Sequence, residues 1–127
     1  MTLEVNLPDV LAELTAAFAR YEDALINNKV DVLDELFWDS ALTVRYGAAE
    51  NLLGIDAIRA FRAARIPLGG RTLSNTVITT YGRDFATAMT EFRRDGSTRH
   101  GRQSQTWVRM AAGWRVVAAH VSVMMTA

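Results

Sequence analysis

Apolar residues recur at alternating steps of three and four from Leu11 through Leu14, Phe18 and Tyr21 to Leu25, a spacing that predicts a helix with one apolar face. Asp9, directly after Pro8, is placed to cap its start, and Asn27 and Asn28 to end it. A second, short helix is expected from Asp31, burying Leu33, Leu36 and Phe37 and leaving through Asp39 and Ser40. Leu42, Val44 and Tyr46 alternate with Thr43 and Arg45, so residues 41–46 read as a strand that ends at Gly47, with Leu42, Val44 and Tyr46 as its core face. Residues 51–53 add a short edge. Gly54 opens a third helix that runs through Arg65 with Ile58 and Phe61 on its buried side, stopped by Pro67 and Gly69-Gly70.

Beyond residue 70 the period changes from 3.6 to 2. Residues 71–81, 85–94, 101–110 and 114–124 are β-rich runs, separated by Gly82-Arg83-Asp84, Asp95-Gly96-Ser97 and Ala111-Ala112-Gly113. Connections of that kind predict hairpins, hence an antiparallel meander. Three helices followed by such a sheet is an α+β layout with the helices on one face. The 127 residues, 50% hydrophobic and 22% charged with only two prolines, suit a single domain over residues 1–127 with a core and room for one small pocket.

Charge and chemistry narrow the functions. Fourteen basic residues balance fourteen acidic ones, which leaves no global field for nucleic acid or an acidic membrane. The chain has no cysteine, so disulfides, thiol nucleophiles and cysteine-based metal centres are excluded. It shows neither a signal peptide pattern nor an apolar segment of about 20 residues, so a cytoplasmic protein is expected. His100 and His120 lack partners at ligand spacing, and no glycine-rich phosphate loop is present; neither a metal nor another cofactor is expected. Thirteen of the fourteen basic residues are Arg, the planar binder of carboxylates, although a high-GC genome also favours it.

Several residues combine polarity with positions that invite burial. Tyr21 lies in line with Phe18 and Leu25, either as a core tyrosine bonded to a carbonyl or as a proton donor at a pocket floor. Arg45 faces away from Val44 and Tyr46: turned to the helices it needs an anion, turned outward it is a solvated charge. Glu50 and Asn51 follow the Gly47 turn and are placed to orient it. Arg62 and Arg65 read as a solvated helix face before a mouth for anions. In residues 101–107, Arg102, Ser104 and Thr106 share one face and Gln103, Gln105 and Trp107 the other, a polar strand suited to a pocket, a cross-strand ladder or a dimer contact. His120 is read on one face with Trp114, Val116, Ala118 and Ser122, either as a core histidine or as a general base; no Ser-His-Asp triad is completed. Trp107, Trp114 and residues 116–124 offer more apolar surface than three short helices cover, so a homodimer is expected.

The order of elements resembles the cone-shaped cystatin-like fold of the nuclear-transport-factor-two-like superfamily, three N-terminal helices packed on a curved antiparallel sheet. Within it, FARYEDAL at 18–25, LDELFWDS at 33–40, VRYGAAENLLG at 44–54, FRAAR at 61–65, YGRDFATA at 81–88, GRQSQTW at 101–107 and WRVVAAHVS at 114–122 resemble the AtzH-like family. The resemblance covers nearly the whole chain. It implies a cofactor-free decarboxylating amidohydrolase acting on a small carboxylated urea, 1,3-dicarboxyurea in cyanuric acid breakdown or a related ureido acid of oxalurate catabolism. It favours Tyr21 and Arg45 as catalytic residues, while the residue pattern itself offers Arg102, Gln103, Ser104, His120, Ser122, Glu50, Asn51 and Arg65 as substrate-binding candidates. The other reading is a non-catalytic small-molecule-binding or accessory dimeric subunit of such a pathway, since fold alone does not establish catalysis.

Overall fold

The computed structural model describes residues 2–125. Helices α1 (Pro8–Ile26) and α2 (Val30–Leu36) precede two short strands, β1 (Val44–Tyr46) and β2 (Asn51–Leu53), and α3 (Ile55–Ala64). Four long strands follow, β3 (Arg71–Tyr81), β4 (Phe85–Arg94), β5 (Gly101–Met110) and β6 (Gly113–Val123). They form one six-stranded sheet in the order β2-β1-β6-β5-β4-β3, and the helices pack on one side of it. This α+β arrangement is the expected cystatin-like one, and the four long strands fall within a residue of their expected bounds.

The core lies between the helices and the inner face of the sheet. Val10, Leu14, Phe18, Tyr21, Ala24 and Leu25 of α1 are buried against Ala86 and Ala88 of β4, Trp107 of β5 and Val116 of β6. Helix α1 begins with Pro8 in its first turn, where a missing N–H costs nothing. Asp9 does not cap it as expected: the N-cap is Leu7, and Asp9 pairs instead with Arg83 across the β3–β4 turn. Gly54 enters α3 at φ +88°, a conformation that would strain any side chain.

Three further expectations are corrected. The sheet is not a pure antiparallel meander, because β1 runs parallel to β6, with Arg45 opposite Ala119 and Tyr46 opposite His120. The strand begins at Val44 rather than residue 41, and its core face is the opposite of the one expected. Leu42 and Tyr46 are exposed while Arg45 points inward, its guanidinium over the Phe61 ring. Third, β6 carries a bulge: Thr106 pairs with Ala118 and Trp107 with Val116, leaving Val117 as an extra residue. An extra residue reverses the alternation. Trp114 and Val116 therefore share the inner face with Ala119, Val121 and Val123, whereas Ala118, His120 and Ser122 face outward.

Candidate functional site

The inner face near the open end of the cone gathers arginines. Arg45 comes from β1, Arg62 and Arg65 from α3, Arg71 from β3 and Arg94 from β4, the last two directly opposite each other in the β3–β4 register. Guanidiniums so placed repel one another and lose hydration, so each needs a partner. Three have one. Arg71 donates two bonds to the Glu22 carboxylate, at 2.7 and 2.8 Å, and a third to the Gln103 carbonyl oxygen at 3.0 Å. Arg62 donates to Asp34 at 2.8 Å and lies 4.6 Å from the Phe37 ring centre. Arg45 donates to Glu50 at 2.9 Å.

Arg65 and Arg94 differ. Among the described residues neither guanidinium has a carboxylate partner, and Arg65 Nε and Arg94 Nη1 are buried with no hydrogen-bond acceptor. Burial holds Arg62, Arg65 and Arg94 below the ordinary arginine range, and the neighbouring guanidinium of Arg45 adds to the effect at all three. Arginine keeps its charge through such shifts at neutral pH. The five guanidiniums meet three carboxylates, so the site carries two uncompensated positive charges.

Three of the five, Arg45, Arg65 and Arg94, line a cleft of about 250 Å³ together with Glu50, Phe61 and Phe92. Cation and aromatic ring alternate around it: Arg94 and Arg71 lie 5.4 and 4.6 Å from the Phe92 ring centre. The Tyr21 phenol, 4% exposed, is within electrostatic reach of Arg62, Arg65 and Arg94, the same three groups that Arg45 faces. Behind Tyr21, the amides of Gln103 and Gln105 accept bonds from Arg71 and from the Trp107 indole, which leaves both Nε2 atoms buried and unpaired. No group of three or more His, Asp or Glu converges for a metal among the described residues.

The candidates fall on two sides of the sheet. Tyr21, Arg45, Glu50, Arg65 and Gln103 belong to the inner side, and Arg65 is not the solvated helix face expected with Arg62. Arg102, Ser104, His120 and Ser122 line a depression of about 330 Å³ on the outer face, separated from Tyr21 by the thickness of the sheet. Asn51 is exposed on β2, opposite Tyr46. The sequence reading missed Arg94 and Phe92, and the signal was available: both alternate in phase with Ala86, Ala88 and Thr90, the buried face of β4. It also missed Glu22 and Arg71, which meet only through the fold.

The fold is that of the nuclear-transport-factor-two-like, cystatin-like proteins. A cystatin-like fold protein from Burkholderia xenovorans is similar at 48% identity and TM-score 0.94, covering 98% of this chain and 99% of the other. A protein of unknown function from Pectobacterium atrosepticum is 66% identical with TM-score 0.93 over 95% of each chain. A Streptomyces avermitilis protein of the same fold, provisionally assigned as a dehydratase, is 12% identical with TM-score 0.76 over 93% of this chain and 98% of that one, so the fold hosts enzyme candidates. The AtzH-like family model matches residues 3–127, and the chain belongs to the AtzH-like family. No curated protein matches it. No helix among the described residues is long and apolar enough to cross a membrane.

Proposed function

We propose that the protein is a cofactor-free decarboxylating amidohydrolase of a small carboxylated urea, converting 1,3-dicarboxyurea to allophanate and carbon dioxide, and that it works as a homodimer. The observation that carries the reading is a cleft that joins Arg45 to unspent cationic hydrogen-bond donors on Arg65 and Arg94, with the buried Tyr21 within electrostatic reach of the latter two. The bond between a carboxylate carbon and the adjacent ureido nitrogen breaks, and its electron pair stays on nitrogen. Carbon dioxide leaves, and the nitrogen takes one proton. A carboxylate departs more readily where water is scarce, and the rings of Phe61 and Phe92 supply such a wall. The Arg45 fork, steadied by Glu50, grips the reacting end and stabilises the charge that moves onto the urea. Tyr21 delivers the proton and regains one from solvent.

The test is purified protein with freshly generated 1,3-dicarboxyurea, oxalurate alongside, following allophanate and carbon dioxide above the spontaneous rate. Tyr21→Phe removes only a hydroxyl, and turnover should fall about 100-fold or more with unfolding behaviour unchanged. Arg45→Lys keeps charge but loses the fork and should cost at least about tenfold. Unaltered turnover in Tyr21→Phe removes its assigned role; no acceleration of either compound by the native protein leaves a binding subunit.

A further inference from the structure

Resting on that reading, we infer that Arg65 and Arg94 form the seat of a second carboxylate, so the cleft selects small acids carrying two negative charges over those carrying one. The argument is a charge balance fixed by geometry. Arg45, Arg62 and Arg71 are each matched by a carboxylate of the chain, Glu50, Asp34 and Glu22. Arg65 and Arg94 are not, and each presents a buried nitrogen with nothing to accept from it among the described residues. Leaving a buried charged donor unpaired is costly, and a ligand oxygen relieves that cost. The two arginines reach the cleft from different layers, one from the end of α3 and one from β4. The Arg94 guanidinium lies 5.4 Å from the Phe92 ring centre, and Arg71 opposite, its side chain 1% exposed and held by two bonds to Glu22, does not line the cleft.

A doubly charged ligand places one carboxylate on Arg65 and Arg94 and the other near Arg45, cancelling the excess charge. A singly charged acid leaves one end of the cleft unmatched. The same balance has a consequence for turnover: loss of carbon dioxide with uptake of a proton converts a dianion to a monoanion, so the product is held less tightly than the substrate. Among ureido acids, 1,3-dicarboxyurea meets the requirement and oxalurate, with one carboxylate, does not.

The probe is glutarate, which has the five-atom skeleton of 1,3-dicarboxyurea and no cleavable bond, set against butyrate as the singly charged control in calorimetric titrations. The native protein should bind glutarate at least about tenfold more tightly than butyrate, as expected for a charge-assisted pair. Arg65→Gln and Arg94→Gln should each weaken glutarate at least about tenfold. Raising salt from about 0.02 to about 0.2 M should weaken glutarate more than butyrate, a check that needs no variant. Equal affinities in the native protein, or glutarate affinity intact in both variants, overturns the inference. Glutarate preference without turnover of 1,3-dicarboxyurea supports the seat and refutes the catalytic reading alone, whereas turnover without preference refutes the seat alone.

Discussion

At the scale of single residues, Phe92 and Gly101 show how a small side chain sets a charged site. Phe92 sits opposite Gly101 in the β4–β5 register, and a Cβ at position 101 would fall inside its ring. The glycine is therefore space for the aromatic, whose faces carry Arg71 and Arg94. Gly101→Ala must push the ring aside, at a cost of about 1–3 kcal/mol measurable by denaturant unfolding, and should lower glutarate affinity as Arg94 shifts. Stability lost with affinity unchanged would show that the ring does not position the arginine. Arg45 illustrates why part of the site was hidden in the sequence. Strand alternation assigns the apolar positions to the core, and Val44 and Tyr46 are the apolar ones. The inward position goes to Arg45 because Glu50 and the Phe61 ring, both outside the strand, compensate its burial. No local pattern records that compensation.

At the scale of elements, what was legible is what local chemistry determines. Gly82 and Gly96 lie in the connections after β3 and β4 and Gly113 opens β6, all at positive φ, so the turn residues alone place the hairpins. The parallel pairing of β1 with β6 joins residues more than seventy positions apart and leaves no such mark. The Val117 bulge was equally silent, since an apolar run reads alike with or without an extra residue, yet it decides that His120 and Ser122 look away from Tyr21. Helix α3 is tied to α2 by a buried polar contact: Arg62, 4% exposed, bonds Asp34 of α2 and covers the Phe37 ring. Asp34→Ala strands that guanidinium, and because Asp34 itself is partly open to water the loss should lie near the lower end for a broken buried pair, about 3 kcal/mol in urea unfolding. Asp34→Asn, which keeps an acceptor, should lose less. Equal losses would mean that the charge, rather than the hydrogen bond, secures the helix.

At the scale of the whole molecule, the outer face of the sheet calls for a partner. Val77, Met89, Ser104, His120 and Tyr46 stand side by side across β3, β4, β5, β6 and β1, each opposite the next in register. Val77, Met89 and Tyr46 are 57, 49 and 41% exposed. In the proposed homodimer a second copy of the chain would meet the same row in a two-fold arrangement, since a two-fold interface uses one patch on both subunits. Size-exclusion with light scattering should therefore return about twice the chain mass, and Met89→Glu, which puts a charge in the apolar part of the row, should return the monomer. A native monomer overturns the dimer. The cleft lies on the opposite side of the sheet, so Met89→Glu should still bind glutarate with native affinity; if splitting the dimer also abolishes that binding, the partner shapes the inner face through the sheet, and the site belongs to the pair of chains rather than to each alone.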